Sequence, residues 1–454
     1  MSFPNDFAWG AATASYQIEG AVDADGRGRS VWDSYCARPG AIWEGQSGAV
    51  ACDHYHRWRE DVALMRQVGL GAYRFSIAWP RVMPEGDGTA NAKGLGFYDR
   101  LVDELLAAGI QPWPTLFHWD YPQALFDRGG WLSPDSPEWF ADYTRAVVER
   151  LGDRVGHWFT LNEPQCFIGF GHRDAIQAPG LKLSRAEVLR AGHHALLAHG
   201  RAVQVIRGAS KIPCKVGYAP VGWSKIPATD SPDDVEAARR ATFAVTDDEP
   251  IDNAWWMDPV YLGRYPEDGL RLYGADAPRV GSGDMETIAQ PLDFQAFNTY
   301  QGTPIRAGAD GRPERVPLPE GYAMTFFYGS VTPEALYWTP RFMHERYRLP
   351  VVISENGTSN ADWVALDGKV HDPQRIDYVR RYLLALERAG DDGAGIAGYF
   401  LWSFMDNFEW SHGFKQRFGL VHVDFPTGTR TLKDSALWYR DIIATNGEAL
   451  HRDP

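Results

Sequence analysis

The sequence is poor in the features that mark secreted, membrane-spanning or zinc-binding proteins. Its four cysteines, Cys36, Cys52, Cys166 and Cys214, form no Cys-x-x-Cys pair, so neither a disulfide framework nor a zinc ribbon is predicted. No apolar run reaches the ~18 residues of a membrane span, and the N-terminus lacks the basic and apolar segments of a signal peptide. These absences predict a soluble, globular, cytoplasmic protein with free thiols.

Positive charge is also scarce. The chain has 45 Lys and Arg against 59 Asp and Glu, a formal net charge of -14. Because phosphate binding needs a clustered cationic surface, no nucleic-acid partner is expected. No glycine-rich phosphate loop or dinucleotide fingerprint is present, so no cofactor is predicted. A neutral small molecule is the partner that fits this balance, while the oligomeric state does not follow from the sequence.

Aromatic side chains are abundant, at 13% of the 454 residues with 18 Trp. Indole rings pack well on the C–H faces of sugars, which favours a carbohydrate site. A large aromatic core explains most of these rings equally well.

Short apolar runs alternate with helix-period segments, and no linker or sequence repeat interrupts them. This alternation is typical of parallel strands covered by helices. Eight such strands close a barrel, so the predicted fold class is α/β, a single (β/α)8 TIM barrel that forms one catalytic domain over residues 1–454. The candidate strands are residues 7–12, 72–77, 112–117, 157–161, 215–218, 294–298, 351–354 and 396–401.

Helices are indicated by apolar spacing of three and four at 139–151 and 376–386. The long segment 219–291 is predicted to hold a helix at 235–245 and a rim over the site. Three helix starts are predicted from capping signals, at Asp372-Pro373, at Thr332-Pro333 and at the capping box Ser184-x-x-Glu187.

Polar or aromatic residues follow five of the eight predicted strands. The carboxyl ends of barrel strands meet at one face, where barrel enzymes build their active sites, so we expect these residues to converge. They are Gln17 after the first strand, His118 after the third, Asn162 and Glu163 after the fourth, Glu355 after the seventh and Trp402 after the eighth.

Glu163 and Glu355 each stand at the exit of an apolar strand. One glutamate in such a place is explained as well by capping or a salt bridge. Two on opposed strands supply what glycoside hydrolysis needs, because that reaction uses two carboxyl groups on either side of the anomeric carbon. The pair is therefore the candidate catalytic site.

The segments around both glutamates resemble glycoside hydrolase family one, the β-glucosidase family. TLNEP at 160–164 and ISENG at 353–357 look like the acid/base and nucleophile motifs of that family. The similarity extends in order from near the N-terminus to Asp424. It includes AWGAATASYQIEG at 8–20, YRFSIAWPR at 73–81, TLFHWD at 115–120 and WSFMDNFEW at 402–410.

This resemblance implies a retaining exo-β-glycosidase, foremost a β-glucosidase, acting on a small β-glycoside or oligosaccharide. Galactosides and fucosides stay open as substrates. Glu355 would attack the anomeric carbon, while Glu163 would protonate the leaving group and then activate water. The charge of Glu355 is expected to raise the pKa of Glu163, and the two carboxyl groups are expected roughly 5 to 5.5 Å apart.

The resemblance also implies roles for residues around the pair. Arg74 and Tyr300 match residues that orient the nucleophile, and Asn162 matches a residue that contacts the sugar 2-hydroxyl. Taken singly, each has an ordinary structural explanation, and their agreement favours the site. The further substrate-binding residues are Gln17, His118, Trp402, Glu409 and Trp410, together with Tyr300.

Four segments depart from the family pattern. Gly329 and Gln165 stand where the family carries tryptophans, of which the first flanks the leaving group. The leaving-group site is therefore predicted to be wider or less aromatic. The family's Asn-Tyr-Tyr is Asn298-Thr299-Tyr300 here, and its His-Ala-Pro-Gly is Gln-Ala-Pro-Gly at 177–180.

Two other functions stay open. Members of the family that cleave 6-phosphorylated glycosides carry a small polar residue, a lysine and a tyrosine where this chain has Glu409, Gln416 and Phe418. An acidic group would repel the phosphate, so an unphosphorylated sugar is favoured. A catalytically silent sugar-binding protein on the same fold would usually have lost one carboxylate, and both are present.

Two histidine pairs invite a metal interpretation. The His-x-His at 54–56 precedes the second strand and leads into a helix, and it is common in the resembled family without a metal. His193-His194 lies in a helical segment, where adjacent side chains face apart. No metal site is predicted.

Overall fold

Eight parallel strands form the centre of the computed structural model, which describes residues 3–246, 250–327 and 329–452. Every predicted strand is present, with ends within two residues of the prediction. The strands are β1 (Ala8–Ala12), β2 (Ala72–Ser76), β3 (Gln111–Phe117), β4 (His157–Asn162), β5 (Lys215–Ala219), β6 (Gln295–Asn298), β7 (Val351–Asn356) and β8 (Ile396–Trp402).

The strands pair in the order β5-β4-β3-β2-β1-β8-β7-β6. Backbone hydrogen bonds then join the two end strands: Asp293 donates to Val216 at 3.0 Å, and Gly222 donates to the Asn298 carbonyl at 2.8 Å. The sheet thus closes on itself, and the predicted (β/α)8 TIM barrel is confirmed.

The barrel interior is filled by aromatic rings from different strands. The Trp113 ring lies 5.1 Å from that of Phe400 and 5.5 Å from that of Phe294. Gly10 makes room for this packing, because a Cβ atom there would come within 2.5 Å of the Phe400 ring. A filled interior leaves space for a ligand only at the strand ends.

Helices cover the outside of the barrel. The longer ones are His54–Val68, Ala92–Ala107, Ser136–Leu151, Arg185–Ala209, Pro232–Phe243, Asn253–Leu262, Ala335–Tyr347, Pro373–Asp391 and Asp434–Ala444. Shorter helical segments are Ser15–Ile18, Val31–Cys36, Trp43–Gly45, Trp79–Val82, Gln123–Phe126, Gly130–Leu132, Pro164–Ile168, Gly169–Arg173, Glu267–Tyr273, Gly274–Asp276, Asp284–Ile288, Trp410–His412 and Glu448–His451. Among the helices described, none is both long and apolar enough to cross a bilayer.

Five further strands form two small sheets outside the barrel. Ser224–Pro227, Gly302–Ala307 and Pro313–Arg315 form the first, and Val421–Asp424 pairs with Thr429–Leu432 in the second. The first sheet and the helix Pro232–Phe243 belong to the long excursions after β5 and β6.

Two of the three predicted helix starts are confirmed. Ser184 and Glu187 form a capping box at the start of Arg185–Ala209, with the Ser184 N–H donating to the Glu187 carboxylate at 3.0 Å. Pro373 is the first residue of its helix as predicted. The Asp372 carboxylate makes no cap there, because it accepts hydrogen bonds from Arg375 and Ser435 instead.

The third predicted start is wrong by two residues. The helix begins at Ala335 rather than at Pro333. The Thr332 hydroxyl accepts a hydrogen bond from the Gly302 N–H at 2.7 Å, so it holds the neighbouring segment instead of the helix end.

Candidate active site

A cavity opens at the carboxyl ends of the barrel strands, and both candidate glutamates line it. It encloses about 1060 Å³ including the solvent at its mouth, which suits a sugar and its leaving group. Of the predicted site residues, His118, Glu163, Tyr300, Glu355, Trp402, Glu409 and Trp410 line this cavity. Gln17, Arg74 and Asn162 are fully buried behind the lining and bind residues of it.

Glu355 lies at the end of β7, where the register with β6 shifts. Arg74 Nη1 donates to Glu355 Oε1 at 2.6 Å, and the Tyr300 hydroxyl donates to Oε2 at 2.8 Å. Burial raises the pKa of Glu355, while the Arg74 charge and the Tyr300 hydrogen bond oppose that rise. Both oxygens therefore have partners that stabilise the ionised carboxylate and fix its orientation.

Glu163 directly follows β4 and has a left-handed backbone, with a φ of 46°. Its N–H donates to the Ala219 carbonyl at the end of β5 at 2.8 Å. Burial, followed by the charge of Glu355, raises the pKa of Glu163 to about 8. Glu163 thus holds its proton at neutral pH. The Glu355 charge was the cause expected from the sequence, and burial is the larger of the two.

Asn298, the last residue of β6, lies between the two acids. Its Nδ2 donates to Glu163 Oε1 at 2.9 Å and to Asn162 Oδ1 at 3.0 Å, and its backbone is the register partner of Glu355. Ser354 Oγ donates to Asn298 Oδ1 and fixes the amide. Sequence reasoning missed this residue, although a polar residue that ends a strand two positions before Tyr300 was an available signal.

The deep end of the cavity is lined by polar side chains, among them Glu409 and His118, whose shifted pKa values favour their uncharged forms. Gln17 Nε2 donates to Glu409 Oε2 at 3.2 Å, and burial together with the charges of Glu355 and Glu163 raises the pKa of Glu409 to about 8. Burial, aided by the Arg74 charge, lowers the pKa of His118 well below its usual range. Gln17 Oε1 and His118 Nδ1 are buried without a protein partner. Such donors and acceptors suit sugar hydroxyls.

Aromatic rings form the walls of the same deep end of the cavity. Trp402 lies nearly parallel to His118, with ring centroids 5.7 Å apart, and Trp410 stacks on Trp119 at 4.5 Å. These indole faces offer apolar surfaces for the C–H faces of a pyranose.

Three residues that depart from the family pattern, Gln165, Gln177 and Gly329, differ in whether they line the cavity. Gln165 is buried outside the cavity lining, where its amide exchanges two hydrogen bonds with the Val221 backbone at 3.1 and 3.2 Å. Gly329 and Gln177 both line the cavity. One missing indole is therefore replaced by a structural amide, and the other leaves a glycine in the wall.

The histidine pairs have separate partners. Buried His54 Nδ1 hydrogen-bonds Asp61 at 2.7 Å, whereas His56 lies on the surface beside Asp53. His193 contacts Tyr265 and Asp284, and His194 contacts the Trp131 carbonyl. Within the described ranges, no group of three or more His, Cys, Asp or Glu has the arrangement of a metal site. All four cysteines are free, as predicted.

Comparisons with known proteins agree with this geometry. The family model described as Glycosyl hydrolase family 1 matches residues 1–448. Beta-glucosidase A of Acetivibrio thermocellus is 43% identical over 453 residues, covering 98% of this chain and 99% of its own length. Aryl-phospho-beta-D-glucosidase BglC of Bacillus subtilis is 39% identical, covering 99% of this chain and 98% of its own.

A similar solved structure is the beta-glucosidase from Thermotoga maritima in complex with glucoimidazole. It superimposes with a TM-score of 0.90 at 41% identity, covering 98% of this chain and 99% of that one. With a matching family model, full-length relatives above 40% identity and the same barrel, this chain belongs to glycosyl hydrolase family 1 and is a glycoside hydrolase.

Proposed function

We propose that the chain is a retaining exo-β-glucosidase in which Glu355 is the nucleophile and Glu163 the general acid and base. The observation that carries this proposal is the unequal environment of two glutamates in one cavity. Glu355 accepts hydrogen bonds from Arg74 and Tyr300, while partial burial and the Glu355 charge raise the pKa of Glu163 to about 8. One group is thus prepared to attack and the other to give a proton.

In the first step a Glu355 oxygen bonds to the anomeric carbon as the bond to the leaving oxygen breaks. Glu163 transfers its proton to that oxygen, and the leaving group departs as a neutral alcohol. Asn298 supports this geometry, since its amide donates to Glu163 and to Asn162, and Asn162 also accepts from the Arg74 that holds Glu355.

In the second step the ester at Glu355 carries no charge, which removes one cause of the raised pKa of Glu163. Glu163 then takes a proton from water, and the water oxygen bonds to the anomeric carbon as the ester bond breaks. Two inversions give net retention.

The closed deep end supports release of a single terminal sugar. Gln17, Glu409 and Trp402 are buried there, so a chain of sugars has no exit on that side. We propose that the non-reducing glucosyl unit occupies this end and that Gln17, His118, Asn162, Tyr300, Glu409 and Trp410 bind its hydroxyls, with Trp402 beneath it.

A 6-phospho-β-glucosidase is the second candidate, because one full-length relative carries that kind of name. The residues at the distinguishing positions favour an unphosphorylated sugar. Gln416 is buried and accepts a hydrogen bond from Ser359 at 2.8 Å, and Phe418 has no hydroxyl. Neither offers the cation that a phosphate needs.

The proposal is tested by following hydrolysis of an aryl β-D-glucoside by NMR, beside its 6-phosphate, β-galactoside and β-fucoside. We expect β-glucose as the first anomer formed and the fastest turnover for the unphosphorylated glucoside. If α-glucose forms first, the retaining mechanism is wrong. Faster turnover of the 6-phosphate supports the second candidate, and no turnover of any substrate favours a silent sugar-binding protein.

We also propose the cytoplasm as the location and small β-glycosides as the ligands, without a nucleic-acid partner. The four free cysteines fit a reducing compartment, and the net charge of -14 disfavours a nucleic-acid partner. Activity in the membrane or secreted fraction of the source cells would contradict the location.

A further inference from the structure

The mouth of the cavity is where a leaving group must lie. Glu355 is buried and Glu163 is partly exposed, while Gln17 and Trp402 of the predicted sugar site are buried beyond them, so the bond to be broken faces the open end. The residues that line the cavity there and are at least partly exposed include Phe170, Trp223, Gln301, Thr325, Phe327 and Gly329.

Gly329 leaves this end without the indole that the family carries at that position. A Cβ atom on Gly329 would come within 3.3 Å of Thr325 Oγ1 and 3.4 Å of Gln301 Oε1. Gln301 Oε1 also accepts a hydrogen bond from the Ser330 N–H at 2.8 Å. Gln301 therefore occupies the space beside Gly329, and a large ring at 329 would have to displace it.

Phe327 offers an aromatic face in the same wall. It is 39% exposed, and its ring packs against His412 at 5.0 Å and Phe418 at 5.6 Å. The Phe418 ring lies 6.3 Å from that of Tyr300, which binds Glu355. A row of rings thus leads from the nucleophile to the mouth and ends at Phe327.

The segment that carries Phe327 is fixed at its base. The Thr325 N–H donates to the Gly329 carbonyl at 2.7 Å, and the Gly329 N–H donates to Thr325 Oγ1 at 3.0 Å. Phe326 is 40% exposed, almost the same as Phe327, but it lines a separate groove on the other side of the segment and not the active-site cavity. The two adjacent phenylalanines thus differ in the space that they face.

We propose that Phe327 is a specificity-determining residue that binds the flat aromatic leaving group of aryl β-glucosides. This inference rests on the proposed glucosidase function and takes it one step further, to the class of leaving group. A planar ring at the mouth gains contact with Phe327 on one wall, and Phe170 and Trp223 line the same mouth. Loss of one such ring contact lowers kcat/KM by about 3- to 10-fold.

The test compares Phe327→Ala with Phe326→Ala on two substrates, 4-nitrophenyl β-D-glucoside and β-D-glucosyl fluoride. The fluoride has the same sugar but a one-atom leaving group that cannot reach Phe327. We expect Phe327→Ala to lower kcat/KM for the aryl glucoside about 3- to 10-fold and to leave the fluoride unchanged. Phe326→Ala should change neither substrate, and Phe327→Trp should retain aryl glucoside activity.

Equal losses on both substrates for Phe327→Ala would overturn the inference, because they would reflect a change in the loop or the sugar site. So would equal effects of Phe326→Ala and Phe327→Ala. If the unmodified protein turned over neither substrate, the glucosidase proposal itself would be wrong, which is a different result from loss of the aryl preference.

Discussion

The two ends of the cavity differ in how tightly their side chains are held. At the deep end, Arg74, Asn162 and Asn298 are fully buried and connect the two acids through a continuous set of hydrogen bonds. At the mouth, Gln301 and Phe327 are exposed. The difference indicates that the chemistry on the sugar is fixed by the fold, whereas leaving-group preference depends on a few surface contacts.

The largest expected effect comes from Glu355→Ala, which tests the deep end. Turnover should fall by at least about 10⁴-fold for every leaving group, because the nucleophile is used whatever the leaving group is. Azide should restore activity by filling the vacated space, with the α-glucosyl azide as the inverted product seen by NMR. If the variant hydrolysed any substrate at the original rate, Glu355 would not be the nucleophile for that substrate.

Glu163→Ala tests the residue that lies between the sugar site at the deep end and the leaving-group site at the mouth. The first-step rate for an aryl glucoside with a good leaving group should stay within roughly tenfold of the original, while disaccharides and alkyl glucosides lose about 10² to 10⁴-fold. Stopped-flow measurement of the released phenol separates this step from water attack. Equal losses across leaving groups would remove Glu163 as the acid.

The smallest expected effect is the pH dependence of kcat/KM, which tests whether Glu163 supplies the proton between the two ends of the cavity. Glu163 is active as an acid in its protonated form, and its pKa is raised to about 8. We therefore expect kcat/KM to be maintained up to that pH and to fall about tenfold per unit above it. Because the pKa of Glu409 is raised to a similar value, the pH profile is also measured for the Glu409→Gln variant. If kcat/KM still falls at high pH in Glu409→Gln, the fall is due to Glu163. If the fall disappears in that variant, Glu163 is not the group that loses the proton.

The barrel was predictable because buried parallel strands leave a strong local pattern. Apolar runs such as 351–354 lie wholly in the core, and β7 differs from the predicted strand only by its last two residues. The start at Thr332-Pro333 was not predictable, because the threonine hydroxyl is used by Gly302, 30 positions away in the chain. That residues 1–454 form one domain stays a prediction.

The candidate site was predictable where residue types follow strands in recognisable motifs, and ten named residues line the cavity or bind its lining. The role of Asn298 was not predicted, because it depends on contacts with two distant chain segments, at Glu163 and Ser354. Phe327 escaped because the motif drew attention to the missing ring at Gly329 and not to a different ring two positions earlier.

The Glu163 N–H is hydrogen-bonded to Ala219 at the end of β5, and the Gln165 side chain to Val221 just after it, so the acid motif is joined to this stretch of chain at two points. Val221 and Trp223 of that segment also line the cavity. The same stretch of chain, Ala219 to Trp223, therefore positions the proton donor Glu163 and forms part of the mouth. An insertion or a loop graft between Ala219 and Trp223 would alter the protonation geometry as well as the choice of leaving group, so engineering of substrate range in this enzyme should start on the opposite wall.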